Sequence, residues 1–344
     1  MRKRVLFRAD AGPGVGLGHV MRCRTLGFEL RRRGWIVGFM GSGIPDSFAE
    51  NDRFDCLDDP YGPLRVGTLA PSHGRTLLET ATRWSPDLLI VDHYGFSTDD
   101  FAVLCGRSWV LAAIDDLADR MLPVELVINP NPLASDGEYR RQGVLNALTG
   151  EAFTLIRPEI LGRRRDGAAS IDGPVVVSLG GGNVEAVLMT VLRAIPSHSP
   201  RLIHVVTSAS CPNQHLRAWV GESSQTRCLH EDPGCLAELF SEAGIAITGG
   251  GGTLWEVYAL GITSLAVVFV DNQFQTLGIV ASKKTGFCVD LRKDAAMENV
   301  MNSLFALASD QVKRREMIDR QRKLIDGLGA VRVADRLEHI CLNR

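Results

Sequence analysis

Arg4-Val5-Leu6-Phe7-Arg8-Ala9-Asp10-Ala11-Gly12-Pro13-Gly14-Val15-Gly16-Leu17-Gly18-His19-Val20-Met21 opens the chain's structural reading. A short apolar run passes through a glycine-rich turn into residues whose apolar positions recur at helical spacing. That order, strand then turn then helix, is the start of a βα unit. It repeats along the chain. Strands are expected near residues 4 to 8, 35 to 40, 87 to 92, 109 to 115 and 124 to 128, and helices near 19 to 33, 73 to 84 and 97 to 106. Residues 41 to 72 carry no clear period. Alternating strands and helices predict an α/β fold with parallel sheets covered on both faces.

Between Gly162 and Gly173 the apolar rhythm breaks at Arg163, Arg164, Arg165 and Asp166, and Pro174 begins a new strand. We read 1–162 as a first Rossmann-like domain, 163–173 as a linker and 174–328 as a second. Further strands are expected near 175 to 179, 202 to 207, 226 to 229, 244 to 248, 264 to 269 and 287 to 290, with helices at 184 to 194, 233 to 242, 253 to 260 and 273 to 283. The tail from Asp294 reads as three helices, the last of which, 329–344, is expected to pack back on the first domain. Two doubly wound domains imply a ligand cleft between them, reached from the carboxyl ends of the strands.

The chain has 344 residues, 45% of them hydrophobic and 23% charged, with a net charge of −2. Such a balance fits a folded globular protein and gives no global attraction to nucleic acid or anionic lipid. No apolar run approaches the roughly 20 residues that cross a bilayer. The basic start Arg2-Lys3-Arg4 leads into a strand rather than a signal peptide. Eight cysteines without a C-x-x-C pair fit a reduced, cytoplasmic setting.

The first loop is the densest chemical signal. Glycines here, Gly16 and Gly18 among them, let backbone N–H groups approach an anion, and the helix that follows adds its partial positive charge. The spacing is not G-x-G-x-x-G, so no nicotinamide cofactor is expected. His19 stands at the helix start, where an imidazole can serve as a general base or merely cap the loop. Asp92-His93-Tyr94-Gly95 and Asp115-Asp116 follow later strands. Their carboxylates can orient His19 or bind substrate, or simply cap the next helices. Tyr94 can stack on or hydrogen-bond a sugar.

In the second half, Ser178-Leu179-Gly180-Gly181-Gly182-Asn183 and Thr248-Gly249-Gly250-Gly251-Gly252-Thr253 each follow a strand and precede a helix. Gly180, Gly181, Gly250, Gly251, Gly252 and Thr253 are therefore expected to cradle phosphate. Neither stretch continues as Gly-Lys-Ser/Thr, which excludes the P-loop of nucleoside triphosphatases. Glu256, one turn into the following helix, can accept ribose hydroxyls, or can be a dipole-compensating surface residue. The amides of Asn272 and Gln273 follow another strand. No His or Cys spacing suggests a metal site.

Phe7-Arg8-Ala9-Asp10, Gly16-Leu17-Gly18-His19-Val20-Met21-Arg22, Asp92-His93-Tyr94-Gly95, Asp115-Asp116, Leu155-Ile156-Arg157-Pro158-Glu159, Ser178-Leu179-Gly180-Gly181, Gly252-Thr253-Leu254-Trp255-Glu256 and Asn272-Gln273 together resemble the nucleotide-sugar hydrolases of the pseudaminic acid pathway. These act on UDP-2,4-diacetamido-2,4,6-trideoxy-β-L-altropyranose. The resemblance covers most of residues 4 to 285. It implies a GT-B-like fold, with nucleotide held by the C-terminal domain and sugar facing the N-terminal one. It places the family's catalytic histidine on His19, its substrate-facing tyrosine on Tyr94, its nucleotide-binding glutamate on Glu256 and its Asn-Gln pair on Asn272 and Gln273. Arg22 enters the expected substrate-binding set through the same motif. Gly182-Asn183-Val184-Glu185 departs from the Ser/Thr-Asp that the family commonly shows after its paired glycines.

The expected reaction is water attack at the anomeric carbon of a UDP-linked acylated amino sugar, with inversion and without cofactor or metal. His19 is the expected base, with Asp10 or Asp92 tuning it and Tyr94 orienting sugar or water. A GT-B glycosyltransferase with the same donor grip, or a nucleotide-sugar binding module without chemistry, would share much of this pattern.

Overall fold

A computed structural model describes residues 2–12, 17–57, 73–165, 172–180, 183–196, 201–208, 211–223, 226–231, 236–293 and 296–343. The chain divides into two compact units, one formed by Met1–Arg157 with Gly327–Arg344 and the other by Pro158–Asp326.

The first unit contains, among the described residues, a seven-stranded sheet. Its strands are β1 (Arg4–Ala9), β2 (Ile36–Met40), β3 (Asp55–Leu57), β4 (Leu88–Asp92), β5 (Val110–Ile114), β6 (Leu126–Asn129) and β7 (Ala147–Thr149). They lie in the order β3-β2-β1-β4-β5-β6-β7, every pair parallel. The central strands are buried on both faces, which explains their uninterrupted apolar runs. Side-chain alternation splits them between two cores. Val5, Phe7, Ala9, Leu88 and Ile90 face the helix Gly18–Arg32 and its Val20, Cys23, Leu26 and Leu30. Leu6, Leu89 and Val91 face the opposite layer with Leu77, Phe96 and Phe101.

The final helix, Gly329–Leu342, belongs to this unit and buries Val333, Ala334 and Leu337 in the first of those cores. Glu338 there accepts hydrogen bonds from Trp35 Nε1 at 2.9 Å and Arg33 Nη1 at 2.7 Å.

The second unit holds β8 (Val175–Ser178), β9 (Ile203–Thr207), β10 (Arg227–Glu231), β11 (Ile245–Gly249), β12 (Thr263–Val268) and β13 (Phe287–Asp290). Among the described residues they form a parallel sheet in the order β10-β9-β8-β11-β12-β13. Both sheets thus have the doubly wound order, with a switch point between β1 and β4 in one and between β8 and β11 in the other.

The first unit ends at Arg157, ahead of the expected boundary at 162, because the helix Pro158–Leu161 buries Ile160 and packs within the second unit. The helix read over 97 to 106 stops at Ala102, after a capping box in which Ser97 Oγ accepts from Asp100 N–H and the Asp100 carboxylate from Ser97 N–H. The three-residue strands β3 and β7 and the helix Gln214–Gly221 add to the elements read from sequence.

Candidate functional site

The switch point of the first unit brings a cluster of charged and polar side chains together. Ala9 and Asp92 are paired Cα partners at the carboxyl ends of β1 and β4. Asp92 continues the face of Leu88 and Ile90, so its carboxylate points at the helix Gly18–Arg32. His19, Arg22 and Cys23 lie three and four positions apart on one side of that helix. All three reach Asp92. His19 Nδ1 lies 2.6 Å from Oδ1, Arg22 spans both oxygens at 2.5 Å from Nε and 2.6 Å from Nη2, and Cys23 Sγ is 3.5 Å from Oδ2.

The Asp92 side chain is wholly buried. Burial alone would raise its pKa, but the charge and hydrogen bonds of Arg22, with the bond from His19, outweigh it and hold the group at about 2. An ionised carboxylate can only accept, so the proton on His19 sits on Nδ1 and points at Asp92. Arg22 Nη2 lies 3.1 Å from the same nitrogen. Being itself a donor, it cannot take that proton. Nε2 is therefore left as the ring nitrogen able to receive one. Burial works against the Arg22 charge, yet Asp92 and Asp116 keep its pKa well above the ordinary value. Burial and the Asp92 charge push the Cys23 thiol up, which makes it a poor thiolate.

Asp10 is one residue past Ala9 and points to the opposite face, with Leu6 and Arg8. Its carboxylate is bonded to both Arg8 Nη atoms, accepts the Ser42 N–H at 2.9 Å and lies 3.1 Å from His93 Nε2. Burial raises its pKa, but the hydrogen bonds from His93 and Arg8 hold it well below the usual carboxylate range. Of the two carboxylates expected to tune His19, Asp92 lies on that imidazole and Asp10 does not, a correction to the expectation for Asp10. His93 has both ring nitrogens engaged, since Nδ1 accepts the Gly95 N–H at 2.8 Å. It is a poor base. Leu88, Ile90 and Asp92 share one parity along β4, and the pairing of Ala9 with Asp92 puts that parity on the face covered by the helix Gly18–Arg32.

Arg22 also donates from Nη1 to Asp116 Oδ2 at 2.9 Å, and the Tyr94 hydroxyl lies 3.0 Å from the same oxygen. Tyr94 meets His19 edge-on, with ring centroids 4.5 Å apart and an interplanar angle of 85°. Its side of the loop is open, with 47% of the residue exposed. Arg22, expected to bind substrate, commits its guanidinium to Asp92 and Asp116. Gly18 opens the helix with nothing within 4 Å of where a Cβ would stand. Gly16 lies outside the described residues.

The second unit brings Gly180 and the turn Gly249–Gly252 to its own switch point, after β8 and β11. The four glycines have different reasons. A Cβ on Gly249 would stand 2.7 Å from the Leu179 carbonyl oxygen, and one on Gly250 would lie 3.2 Å from Gln273 Cβ and Val268 Cγ2. Packing within the protein accounts for both. Gly251 has φ −107°, which any residue adopts, and neither it nor Gly252 has an atom within 4 Å of a Cβ. Among the described residues nothing packs where those side chains would stand, so the backbone at the start of the helix Gly252–Leu260 is open to an approaching group. Gly180 adopts φ +104°, a conformation that favours glycine. Thr253 lies in the first turn of that helix. Glu256 is buried one turn further on, which removes the reading of a solvated surface carboxylate. Gln273 Oε1 accepts the Phe269 N–H at 3.3 Å. Gly181 and the Asn272 side chain lie outside the described part.

Among the described residues no group of three or more His, Cys, Asp or Glu is arranged to hold a metal ion, and no helix is long and apolar enough to cross a membrane.

No family model matches the chain. It is 22% identical over 343 residues to the spore coat polysaccharide biosynthesis protein SpsG of Bacillus subtilis, covering 96% of this chain and 97% of the relative. It is 24% identical over 285 residues to the UDP-2,4-diacetamido-2,4,6-trideoxy-β-L-altropyranose hydrolase of Campylobacter jejuni, covering 81% of this chain and 97% of that one. Among solved structures, the glycosyltransferase of kitacinnamycin superposes with a TM-score of 0.70 at 14% identity, over 98% of each chain. The protein is therefore built from two Rossmann-like α/β units of GT-B fold, and its sequence is similar to that of a UDP-sugar hydrolase.

Proposed function

We propose that the protein processes a nucleotide sugar, and specifically that it hydrolyses a UDP-linked acylated amino sugar by water attack at the anomeric carbon. The products are UDP and the free sugar with inverted configuration, as a step in nonulosonic acid biosynthesis of the pseudaminic type. The observation that carries this reading is the 2.6 Å contact between His19 Nδ1 and buried Asp92, which leaves Nε2 to take a proton from water. Tyr94 stands against that imidazole and orients water or sugar. The turns around Gly180 and Gly249–Gly252 offer backbone N–H groups to the diphosphate, whose negative charge grows as the glycosyl bond breaks. Glu256 takes the ribose hydroxyls, and Asn272 and Gln273 complete the nucleotide contacts. The similarity to the Campylobacter hydrolase supports the substrate class.

The fold also supports a second reading, a glycosyltransferase in which an acceptor hydroxyl takes the place of water, because the superposed structure is a glycosyltransferase. Incubating the purified protein with UDP-linked acetamido sugars and no acceptor separates the two. Stoichiometric UDP and free sugar support the hydrolase. UDP release that waits for an added acceptor supports the transferase.

A further inference from the structure

Asp116 takes no part in the reaction as proposed above, yet its carboxylate joins two of the side chains around His19, Arg22 and Tyr94. Its Oδ2 accepts from Arg22 Nη1 at 2.9 Å, in an ion pair with that guanidinium. The Tyr94 hydroxyl, 3.0 Å from the same atom, must then be the donor in their hydrogen bond. A phenol has one proton. With it spent on Asp116, the Tyr94 oxygen can offer only lone pairs to anything that approaches its open side.

We propose that Asp116 is a positioning residue for the reaction described above, fixing Tyr94 as a hydrogen-bond acceptor that reads an N–H or O–H donor on the sugar. The inference rests on the hydrolase reading for its substrate, but the polarity of Tyr94 follows from the contacts alone. An acylamino substituent supplies such a donor through its N–H, and a ring hydroxyl through its O–H. A substituent that only accepts, such as an ether oxygen, meets lone pair with lone pair and is disfavoured. Burial and the nearby Asp116 charge raise the Tyr94 pKa, which keeps the phenol protonated and the arrangement in force. The edge-on contact with His19 ties the same ring to the base.

Two measurements test this. The first needs no substrate. Ultraviolet difference titration of the protein against its Tyr94→Phe variant isolates one phenol among the four tyrosines of the chain. Asp116→Asn should let that phenol ionise at lower pH than in the parent; an unchanged midpoint would overturn the proposal. The second is a double-substitution cycle on a UDP-linked acetamido sugar. Asp116→Ala and Tyr94→Phe should each lower kcat/KM about tenfold, the pair together should lose little more than either alone, and Asp116→Asn should recover most of the loss. Additive losses would show that Asp116 does not act through Tyr94. If the parent turned over no UDP-sugar, the hydrolase reading would fail while the phenol titration still decided the Asp116–Tyr94 relationship.

Discussion

His19 and Asp92 come from a helix start and a strand end 73 residues apart in sequence, and they meet through Nδ1 and Oδ1 at 2.6 Å in a buried setting. The contact does more than hold the ring. It selects the tautomer, and through the tautomer it assigns the proton-accepting role to Nε2.

Replacing Asp92 with Asn should therefore damage catalysis more than its small change in volume suggests. An amide that presents N–H to the imidazole favours the other tautomer and blocks Nε2, and losses of about 10²–10⁴ in kcat are expected. The same change leaves the Arg22 guanidinium without its bidentate partner, so a fall in stability of up to about 3–5 kcal/mol accompanies it. Steady-state kinetics on protein that is still folded, checked by circular dichroism, separates the two effects. Full activity in Asp92→Asn would remove Asp92 from the mechanism.

Stability should depend on acid in a predictable direction. Asp92 has its pKa lowered from 3.8 to about 2 in the folded protein, so its contribution is present above 3.8 and is lost as pH falls toward 2. Asp10 is lowered in the same sense. Denaturant midpoints measured downward from neutral pH should decline most steeply in that window, and Asp92→Asn should flatten the decline. An equally steep decline in the variant would contradict the assignment.

The tetraglycine turn should separate folding from binding. Gly249→Ala forces a Cβ to 2.7 Å from the Leu179 carbonyl oxygen, and a cost of about 1–3 kcal/mol in thermal or denaturant unfolding is expected. Gly251→Ala meets no protein atom within 4 Å and should leave stability nearly unchanged. Its methyl group projects where the nucleotide diphosphate is proposed to lie, so calorimetry should show UDP affinity reduced about tenfold or more. If Gly251→Ala bound UDP normally, the phosphate role of that turn would be withdrawn.

The central strands were legible because burial on both faces writes itself as runs such as Leu88-Leu89-Ile90-Val91 and Val110-Leu111-Ala112-Ala113. β3, with Asp55-Cys56-Leu57, and β7, with Ala147-Leu148-Thr149, are short edge strands without such a run. His19 and Tyr94 could be singled out by residue type and by their place after strands. The choice between Asp10 and Asp92 could not be made from type, since both are carboxylates at strand ends. It depends on which sheet face the helix Gly18–Arg32 covers and on the register pairing Ala9 with Asp92, both of which are long-range facts. Arg22 illustrates the same limit: a basic residue in a ligand-like motif turned out to be occupied by two carboxylates.

The most direct test of the account is to run the reaction on a UDP-linked acetamido sugar in heavy-oxygen water, with the parent protein and with His19→Ala. The label should appear on the anomeric hydroxyl of the released sugar and not on UDP, and His19→Ala should slow the release by about 10² or more while still binding UDP. Label found on the β-phosphate, or an undiminished rate without the imidazole, would contradict it.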